Sequence, residues 1–159
     1  MRSATDLDVS GKRVLVRCDL NVPLKDGAIS DDGRIRASLP LLQDLTSRGA
    51  RVIVLAHLGR PKGEPDPALS LRPVYERLQE LLPEHRVRGS HEVVGEHAAH
   101  LVDVTKPGDI GLLENIRFDP LETSKVDAER AALAAELAAF ADLYVDDAFG
   151  AVHRKHASV

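Results

Sequence analysis

The sequence predicts an α/β domain with a Rossmann-like, three-layer α/β/α architecture and a mostly parallel sheet. Short runs rich in Val, Leu and Ile have the length and composition of buried strands, and segments with helical spacing lie between them. Such alternation favours right-handed crossovers around a parallel sheet that is covered on both faces. With 159 residues, 43% of them hydrophobic, the chain is long enough for one such domain.

The predicted strands lie at residues 13–18, 51–56, 110–114 and 142–145. The predicted helices lie at residues 32–48, 71–82, 91–102 and 127–141. Because Pro40 falls inside the first helical pattern, we expect a kink or an offset start there. A weaker candidate for a further strand lies at 86–88. We find no internal repeat, low-complexity tract or linker, so residues 1–159 are predicted to form one domain.

Composition and charge exclude several functional classes. Charged residues make up 29% of the chain and the formal net charge is -4, which gives no bulk attraction to nucleic acid or to an anionic membrane. No apolar run approaches the ~20 residues of a membrane span, and the first residues lack the apolar stretch of a secretory signal. We therefore expect a cytoplasmic protein. The single cysteine, Cys18, cannot form an internal disulfide and is interpreted as a core residue.

Three arginines follow predicted strands, at the end of the sheet where parallel α/β domains bind ligands. Arg60, Arg117 and Arg154 lie in the loops after the second, third and fourth strands. We expect them to converge on one rim and to form a local anion site in an acidic protein. A guanidinium suits this task because it can donate two parallel hydrogen bonds to a phosphate or carboxylate and keeps its charge.

Asp19 and Asn21 follow the first predicted strand, two residues apart, and would point the same way. They could hold a hydroxyl group, so a phosphorylated hydroxy acid fits both halves of the site. Simpler interpretations remain open for each residue. A single loop arginine is commonly solvated, Asp19 and Asn21 can stabilise turns, and His57 and His153 can be structural.

Two other polar clusters give no predicted metal site. Asp142 begins a predicted strand and belongs at the opposite end from Asp147, which argues against a magnesium site there. Three histidines have only weak helical spacing and are interpreted as surface residues: His91, His97 and His100. The sequence also lacks the GxxxxGK[ST] and GxGxxG phosphate-binding patterns. The residues alone thus predict an α/β domain with an arginine-rich site for a small anionic ligand.

Five motifs, in order and in register, resemble those of the phosphoglycerate kinase family. VRCDLNVP at 16–23 resembles the family's VRxDFNVP, and DDGRIR at 31–36 resembles DxxRIRA. AHLGRP at 56–61 is similar to SHLGRP, LENIRF at 113–118 to LENLRF, and DAFGAVHR at 147–154 to DAFGTAHR. The resemblance extends from about residue 11 to the end of the chain. It departs from the family pattern at Cys18, Leu20 and Ala151-Val152, which are interpreted as packing variants beside the site.

The resemblance implies a role for each matching residue. Asp19 and Asn21 would hold the hydroxyl and carboxylate end of 3-phosphoglycerate, and Arg34 would be the catalytic residue that neutralises the phosphoryl group in flight. The 3-phosphate would be held by a basic cradle of His57, Arg60, Arg117 and Arg154. The complete predicted substrate-binding set is Asp19, Leu20, Asn21, Arg34, His57, Leu58, Gly59, Arg60, Arg117 and Arg154.

The family also implies the reaction, which is reversible phosphoryl transfer between 1,3-bisphosphoglycerate with ADP and 3-phosphoglycerate with ATP in glycolysis. Phosphoglycerate kinases resemble a two-lobed clamp with ATP or ADP and Mg²⁺ on the C-terminal lobe. We expect residues 1–159 to be the N-terminal, substrate-binding domain and the nucleotide-binding domain to be absent. The chain alone is then expected to bind neither nucleotide nor metal, to be inactive and to be a monomer.

Two alternatives of other classes remain. The first is a flavodoxin-like signalling module in which Asp19 or Asp147 accepts a phosphoryl group. That class requires carboxylates clustered around magnesium, whereas arginines dominate the predicted rim of this chain. The second is a catalytically silent binding domain that has kept the ligand site.

Overall fold

The computed structural model describes residues 7–147, which form a five-stranded parallel sheet and a small antiparallel hairpin. The sheet strands are β1 (Arg13–Arg17), β4 (Arg51–Leu55), β5 (Val87–Gly89), β6 (Ile110–Leu112) and β7 (Leu143–Asp146). Their order across the sheet is β5-β6-β4-β1-β7. The hairpin consists of β2 (Leu24–Lys25) and β3 (Ala28–Ile29).

Four α-helices connect the strands: α1 (Gly33–Ser47), α2 (Arg72–Leu81), α3 (Glu96–Val104) and α4 (Asp127–Ala138). Short 3₁₀ turns lie at Pro67–Leu69, Ile116–Phe118 and Pro120–Thr123. Asp32, directly before α1, accepts hydrogen bonds on its carboxylate from Arg36 of α1 at 3.0 Å and from Arg77 of α2 at 2.8 Å. This side chain therefore links two neighbouring helices.

Alternate residues of the central strands divide the core into two layers. Val14 and Val16 of β1 pack with apolar side chains of α1 and α2 on one face of the sheet. Leu15 of β1 and Ile53 of β4 pack with α3 and α4 on the other face. This alternation follows from the two-residue period of a strand. All five strands are parallel, so they are joined by crossover connections, and the helices of these connections cover both faces of the sheet. The predicted three-layer α/β/α architecture is confirmed.

The predicted elements are confirmed in kind, and their bounds differ in informative places. The weak candidate at 86–88 is the edge strand β5. The helix α1 runs through Pro40, so an offset start at that residue was wrong. The predicted helix at 91–102 was wrong in its first turn, since α3 begins at Glu96 after Gly95 with φ +118°. That backbone conformation is rarely open to a residue with a Cβ and ends the preceding turn.

The hairpin was not predicted, although its signal is in the sequence. Asp26 and Gly27 connect β2 to β3 with φ values of 53° and 78°. A two-residue turn of this type needs positive φ at both positions, and Asp-Gly is a favoured pair for it. The strands are only two residues long, which is too short for the alternation that identifies a strand.

Cys18 lies in the core, as predicted, but directly after β1 and not within the strand. Its side chain is fully buried, and burial together with the nearby charge of Asp147 raises the pKa of the thiol to about 12. The residue is therefore a neutral, small apolar group under the carboxyl end of the sheet.

Among residues 7–147, none of the helices combines the length and the apolar character that a membrane crossing requires.

Candidate functional site

The candidate site lies at the carboxyl ends of β4 and β6, where the chain leaves the sheet in opposite directions. The connection from β4 leads to α2 on one face, and the connection from β6 leads to α4 on the other. Such a switch between neighbouring strands opens a crevice, and open α/β sheets bind their ligands there. The loops after β1 and β4 and the loop after β6 line this rim.

Asp19, Asn21 and Arg34 meet beside the end of β1. The Nη1 of Arg34, in the first turn of α1, donates to the backbone carbonyl of Asn21 at 2.8 Å and lies 3.4 Å from Oδ1 of Asp19. The same Asp19 oxygen accepts the backbone N–H of Asn21 at 3.3 Å. Asp19 thus stabilises a turn, as the simpler interpretation expected, and also pairs with Arg34. Both side chains of the ion pair remain about half exposed, 53% and 42%, so the pair contributes little to stability.

Gly59 joins the loops after β1, β4 and β6. Its backbone N–H donates to Oδ1 of Asn21 at 2.9 Å, and its carbonyl accepts from Nη1 of Arg117 at 3.3 Å. The glycine has φ +62°, and a Cβ there would lie 2.7 Å from a methyl group of Leu69. A larger residue would be strained at this φ and would displace the Leu69 side chain. The φ and the close packing explain why glycine occupies this position.

A buried polar layer supports these loops from below. Asn115, fully buried, donates from Nδ2 to the carbonyls of Leu58 at 2.8 Å and Leu69 at 2.9 Å. Its Oδ1 accepts the backbone N–H of Arg117 at 3.1 Å. One amide side chain therefore fixes the β4 loop and the arginine of the β6 loop relative to each other. Its amide hydrogen bonds are the kind that a buried polar group requires.

Glu114 forms the second part of this layer. Its Oε1 accepts the backbone N–H groups of Leu71 and Asn115, both at 2.8 Å, and its Oε2 accepts the hydroxyl of Ser70 at 2.7 Å. The residue is 9% exposed. The carboxylate thus ties the segment before α2 to the end of β6.

Arg17 is fully buried at the end of β1 and contacts His57, a residue of the predicted basic cradle. Its Nη2 is 3.0 Å from Nδ1 of His57. A guanidinium can only donate hydrogen bonds, so Nδ1 must be the acceptor and the neutral ring must carry its proton on Nε2. His57 therefore has a defined tautomer, with its ring proton on Nε2.

Apart from His57, which contacts Arg17, the predicted residues divide into four groups. Asp19, Asn21, Arg34, Gly59 and Arg117 are brought together by the contacts described above. Leu20 and Leu58 are buried in the core, with 0% and 1% of their surface exposed, so a ligand contact at these positions would involve the backbone. Arg60 is exposed on the β4 loop, and its guanidinium makes no hydrogen bond within residues 7–147. Arg154 and His153 lie outside the described residues.

Sequence reasoning assigned no role to Arg17, Glu114 or Asn115. For Arg17 and Glu114 a signal was present, because a charged residue inside or directly after an apolar strand is rarely buried without a polar partner. For Asn115 the residue type gave no such signal, since asparagine after a strand is equally typical of a turn.

Asp142 pairs with Arg13 at the amino end of β1, where Nη2 of Arg13 lies 3.5 Å from Oδ1 of Asp142. Its predicted separation from Asp147 is confirmed, since Asp147 donates its backbone N–H to Arg17 at the carboxyl end.

Asp147→Asn is expected to stabilise the chain at neutral pH. Burial, with the negative charges of Asp146 and Asp19, raises the pKa of Asp147 in the folded state. A carboxyl group whose pKa is higher in the folded chain than in the unfolded chain stabilises the fold at pH values below its unfolded-state pKa. This contribution is lost as the pH rises through its folded-state pKa. The substitution should therefore raise the urea midpoint at pH 7 and have little effect near pH 3.

Asp142→Asn is the matched control with the opposite sign. The backbone N–H and the side chain of Arg13 lower the pKa of Asp142 in the folded chain. The charged carboxylate therefore stabilises the fold at pH values above the pKa that Asp142 has in the unfolded chain. This substitution should lower the urea midpoint at pH 7, with the loss fading in acid. Equal effects of the two substitutions at pH 7 would contradict the assignment.

The whole chain matches known proteins of one family. The family model described as Phosphoglycerate kinase matches residues 4–159. A curated phosphoglycerate kinase from Leifsonia xyli is 58% identical over 95% of this chain. One from Salinispora arenicola is 58% identical over the full chain. The chain spans 37% and 41% of the lengths of these two relatives.

Solved structures agree with the sequence matches. The crystal structure of a phosphoglycerate kinase from Pyrococcus horikoshii superposes with a TM-score of 0.87 at 31% identity, covering 99% of this chain and 39% of that one. The structure of the Coxiella burnetii phosphoglycerate kinase gives a TM-score of 0.81 at 35% identity, covering 98% and 37%. Because the family model spans the rim loops as well as the sheet that carries them, we conclude that the chain belongs to the phosphoglycerate kinase family.

Proposed function

We propose that this chain forms the 3-phosphoglycerate site of a phosphoglycerate kinase. The whole enzyme would transfer a phosphoryl group reversibly between 1,3-bisphosphoglycerate with ADP and 3-phosphoglycerate with ATP, in cytoplasmic glycolysis. The observation that carries the proposal is the hydrogen-bonded cluster of Asp19, Asn21, Arg34, Gly59 and Arg117 at the rim of the sheet. It combines oxygen acceptors with guanidinium donors, which matches a ligand with both a hydroxyl and anionic groups.

The basic side of this cluster would bind the 3-phosphate. Arg60 is exposed, and Arg117 is held by Asn115 and by the carbonyl of Gly59, the residue before Arg60. The Nε2–H of His57 would add a neutral donor, with its tautomer set by Arg17. Charge-assisted hydrogen bonds of this kind contribute roughly 1.5–3 kcal/mol each. Arg154 would complete the cradle on the basis of the family motif.

The other side would bind the hydroxy acid. Asp19 would accept the substrate hydroxyl, while Arg34 would lie against the carboxylate that receives the phosphoryl group. In this structure Arg34 is paired with Asp19 and the Asn21 carbonyl, so it is already directed to that side. The substrate carboxylate is ionised at neutral pH, and therefore the proposed transfer needs no general base. Positioning and charge neutralisation by these groups would supply the catalysis.

Nucleotide and magnesium are proposed to bind on the second domain of the enzyme. Magnesium prefers oxygen ligands in an octahedral arrangement, and ATP commonly needs a cradle of backbone N–H groups. Within residues 7–147, the group of three metal-ligand side chains that lie close together contains two imidazoles and does not suit magnesium. When bound, Mg²⁺–ATP would supply the phosphoryl group, whereas the residues of this chain orient the acceptor.

Calorimetric titration at low salt tests this proposal. We expect 3-phosphoglycerate to bind the chain weakly and magnesium–ATP not to bind it. Arg60→Ala should weaken 3-phosphoglycerate binding by roughly tenfold through the loss of one charged donor. Arg72→Ala is the matched control, because Arg72 is an exposed arginine of α2 that pairs with Glu76 outside the rim.

Several outcomes would contradict the proposal. Nucleotide binding, or equal losses for the two arginine variants, would mean that the rim is not the phosphate site. We also expect no measurable kinase turnover from the 159-residue chain, because transfer needs both lobes to close around the substrates. Robust ATP-dependent activity from this polypeptide alone would show that the division of roles between two domains is wrong.

A further inference from the structure

Three side chains with metal-binding atoms meet at the edge of the sheet, after β5, and none of them is a predicted substrate-binding residue. They are His91, Glu92 and His97, and one ligand atom from each lies within 4.8 Å of the others. The two imidazole rings have their centroids 4.0 Å apart and their planes tilted by 54°. The sequence spacing did not predict this, because residues 91–95 form a turn before α3 instead of its first helical turn. We propose that His91, Glu92 and His97 form a surface site for one divalent ion of the zinc class.

The donor set indicates which ions fit. Two imidazoles and one carboxylate suit Zn²⁺, Co²⁺ or Ni²⁺, whereas Mg²⁺ prefers oxygen ligands alone. Zinc bonds of about 2.0–2.1 Å place tetrahedral ligand atoms roughly 3.3 Å apart. Both histidines are exposed, so their side chains can rotate and bring the ligand atoms, which now lie within 4.8 Å of one another, to the spacing that zinc requires. A fourth position would remain open to water.

The carboxylate of Glu92 is already held in place. Its Oε2 accepts the backbone N–H of His97 at 3.0 Å and lies 2.7 Å from the position that a Cβ on Gly95 would occupy. The Glu92 backbone is fixed as well, since its carbonyl accepts the N–H of Glu114 at 3.1 Å. Within residues 7–147, Oε1 makes no hydrogen bond and can act as the metal ligand while Oε2 continues to cap α3. Such preorganisation favours binding because less side-chain freedom is lost.

The proposed metal site shares no residue with the candidate substrate site. It follows β5, the edge strand, whose neighbour in the sheet is β6. At the usual spacing of strands the ends of β5 and β6 are about 5 Å apart, but His91, Glu92 and His97 are not among the predicted substrate-binding residues. We therefore expect zinc and 3-phosphoglycerate not to compete.

The first test is calorimetric titration of the untagged chain with zinc chloride, in the absence of chelators. We expect one ion to bind per chain and an excess of magnesium not to displace it. His91→Asn and His97→Asn should each weaken zinc binding by more than about tenfold, since even the loss of an outer partner has that effect. Glu92→Gln should also weaken it, while keeping an oxygen that can cap α3.

The matched control is His100→Asn, an exposed histidine on the same helix that lies outside the cluster. This substitution should leave zinc affinity unchanged. A second measurement uses Ni²⁺, which should broaden the imidazole proton resonances of His91 and His97 before those of the other histidines. The proposal is overturned if no saturable zinc binding occurs, if His97→Asn binds as tightly as the unmodified chain, or if His100→Asn loses affinity equally.

Discussion

Glu114→Ala should destabilise the chain by about 3 kcal/mol or more, the largest stability effect that we expect from a single substitution at the rim. The carboxylate accepts hydrogen bonds from the N–H groups of Leu71 and Asn115 and from the hydroxyl of Ser70. Alanine would leave buried N–H groups without an acceptor, and each such group costs about 1–3 kcal/mol. Urea denaturation monitored by circular dichroism measures the loss.

Glu114→Gln separates the hydrogen bonds from the charge. The amide oxygen can take the place of Oε1, and the amide nitrogen can donate to the Ser70 hydroxyl oxygen. We expect this variant to lose only about 1 kcal/mol, since neutral acceptors form weaker hydrogen bonds than charged ones. Equal losses for Ala and Gln would show that the acceptor geometry is not what stabilises the segment before α2.

Arg34→Ala, made in the whole enzyme, should lower kcat by roughly 10²–10³-fold, which is the loss typical of one donor to a developing charge. KM for 3-phosphoglycerate should change far less, because the proposed partner of Arg34 is the phosphoryl group in flight. Steady-state kinetics with varied 3-phosphoglycerate separates the two effects. The expectation rests on the proposed function and on the position of Arg34 beside Asp19 and Asn21.

Arg36→Ala is the matched control for this experiment. Arg36 lies two residues further along α1, is exposed and pairs with Asp32 at 3.0 Å instead of with the rim. Its removal should leave both kcat and KM nearly unchanged. If Arg34→Ala raised KM while kcat stayed constant, Arg34 would be an ordinary ligand contact and not a catalytic residue.

Much of the fold was predictable because its signals are local. The runs that form β1 and β4 contain three and four consecutive apolar residues, as a parallel strand covered on both faces requires. The two central strands and the alternation with helices then specify the architecture. The start of α3 was not predictable in this way, because Gly95 and the cap from Glu92 decide it. Helix periodicity cannot detect a cap that is provided by a preceding side chain.

The candidate site was predictable in its residue types and less so in its support. Asp19, Asn21 and Arg117 follow strands, and the parallel sheet brings these positions to one rim. The residues that support the site were not predictable in this way. Arg17 contacts a residue 40 positions away in the sequence, and Asn115 contacts one 57 positions away. Sequence motifs do not extend over such separations.

The sequence by itself determined the parallel sheet, the strand ends that carry the polar residues and the resemblance to phosphoglycerate kinase, since each depends on residue types in short, ordered segments. The tertiary structure decided which polar groups are buried, which tautomer His57 adopts and which histidines meet at the edge of the sheet. These properties depend on distances between segments that are remote in sequence. Such distances are fixed by the packing of helices on the two faces of the sheet and by the backbone conformation at Gly59 and Gly95.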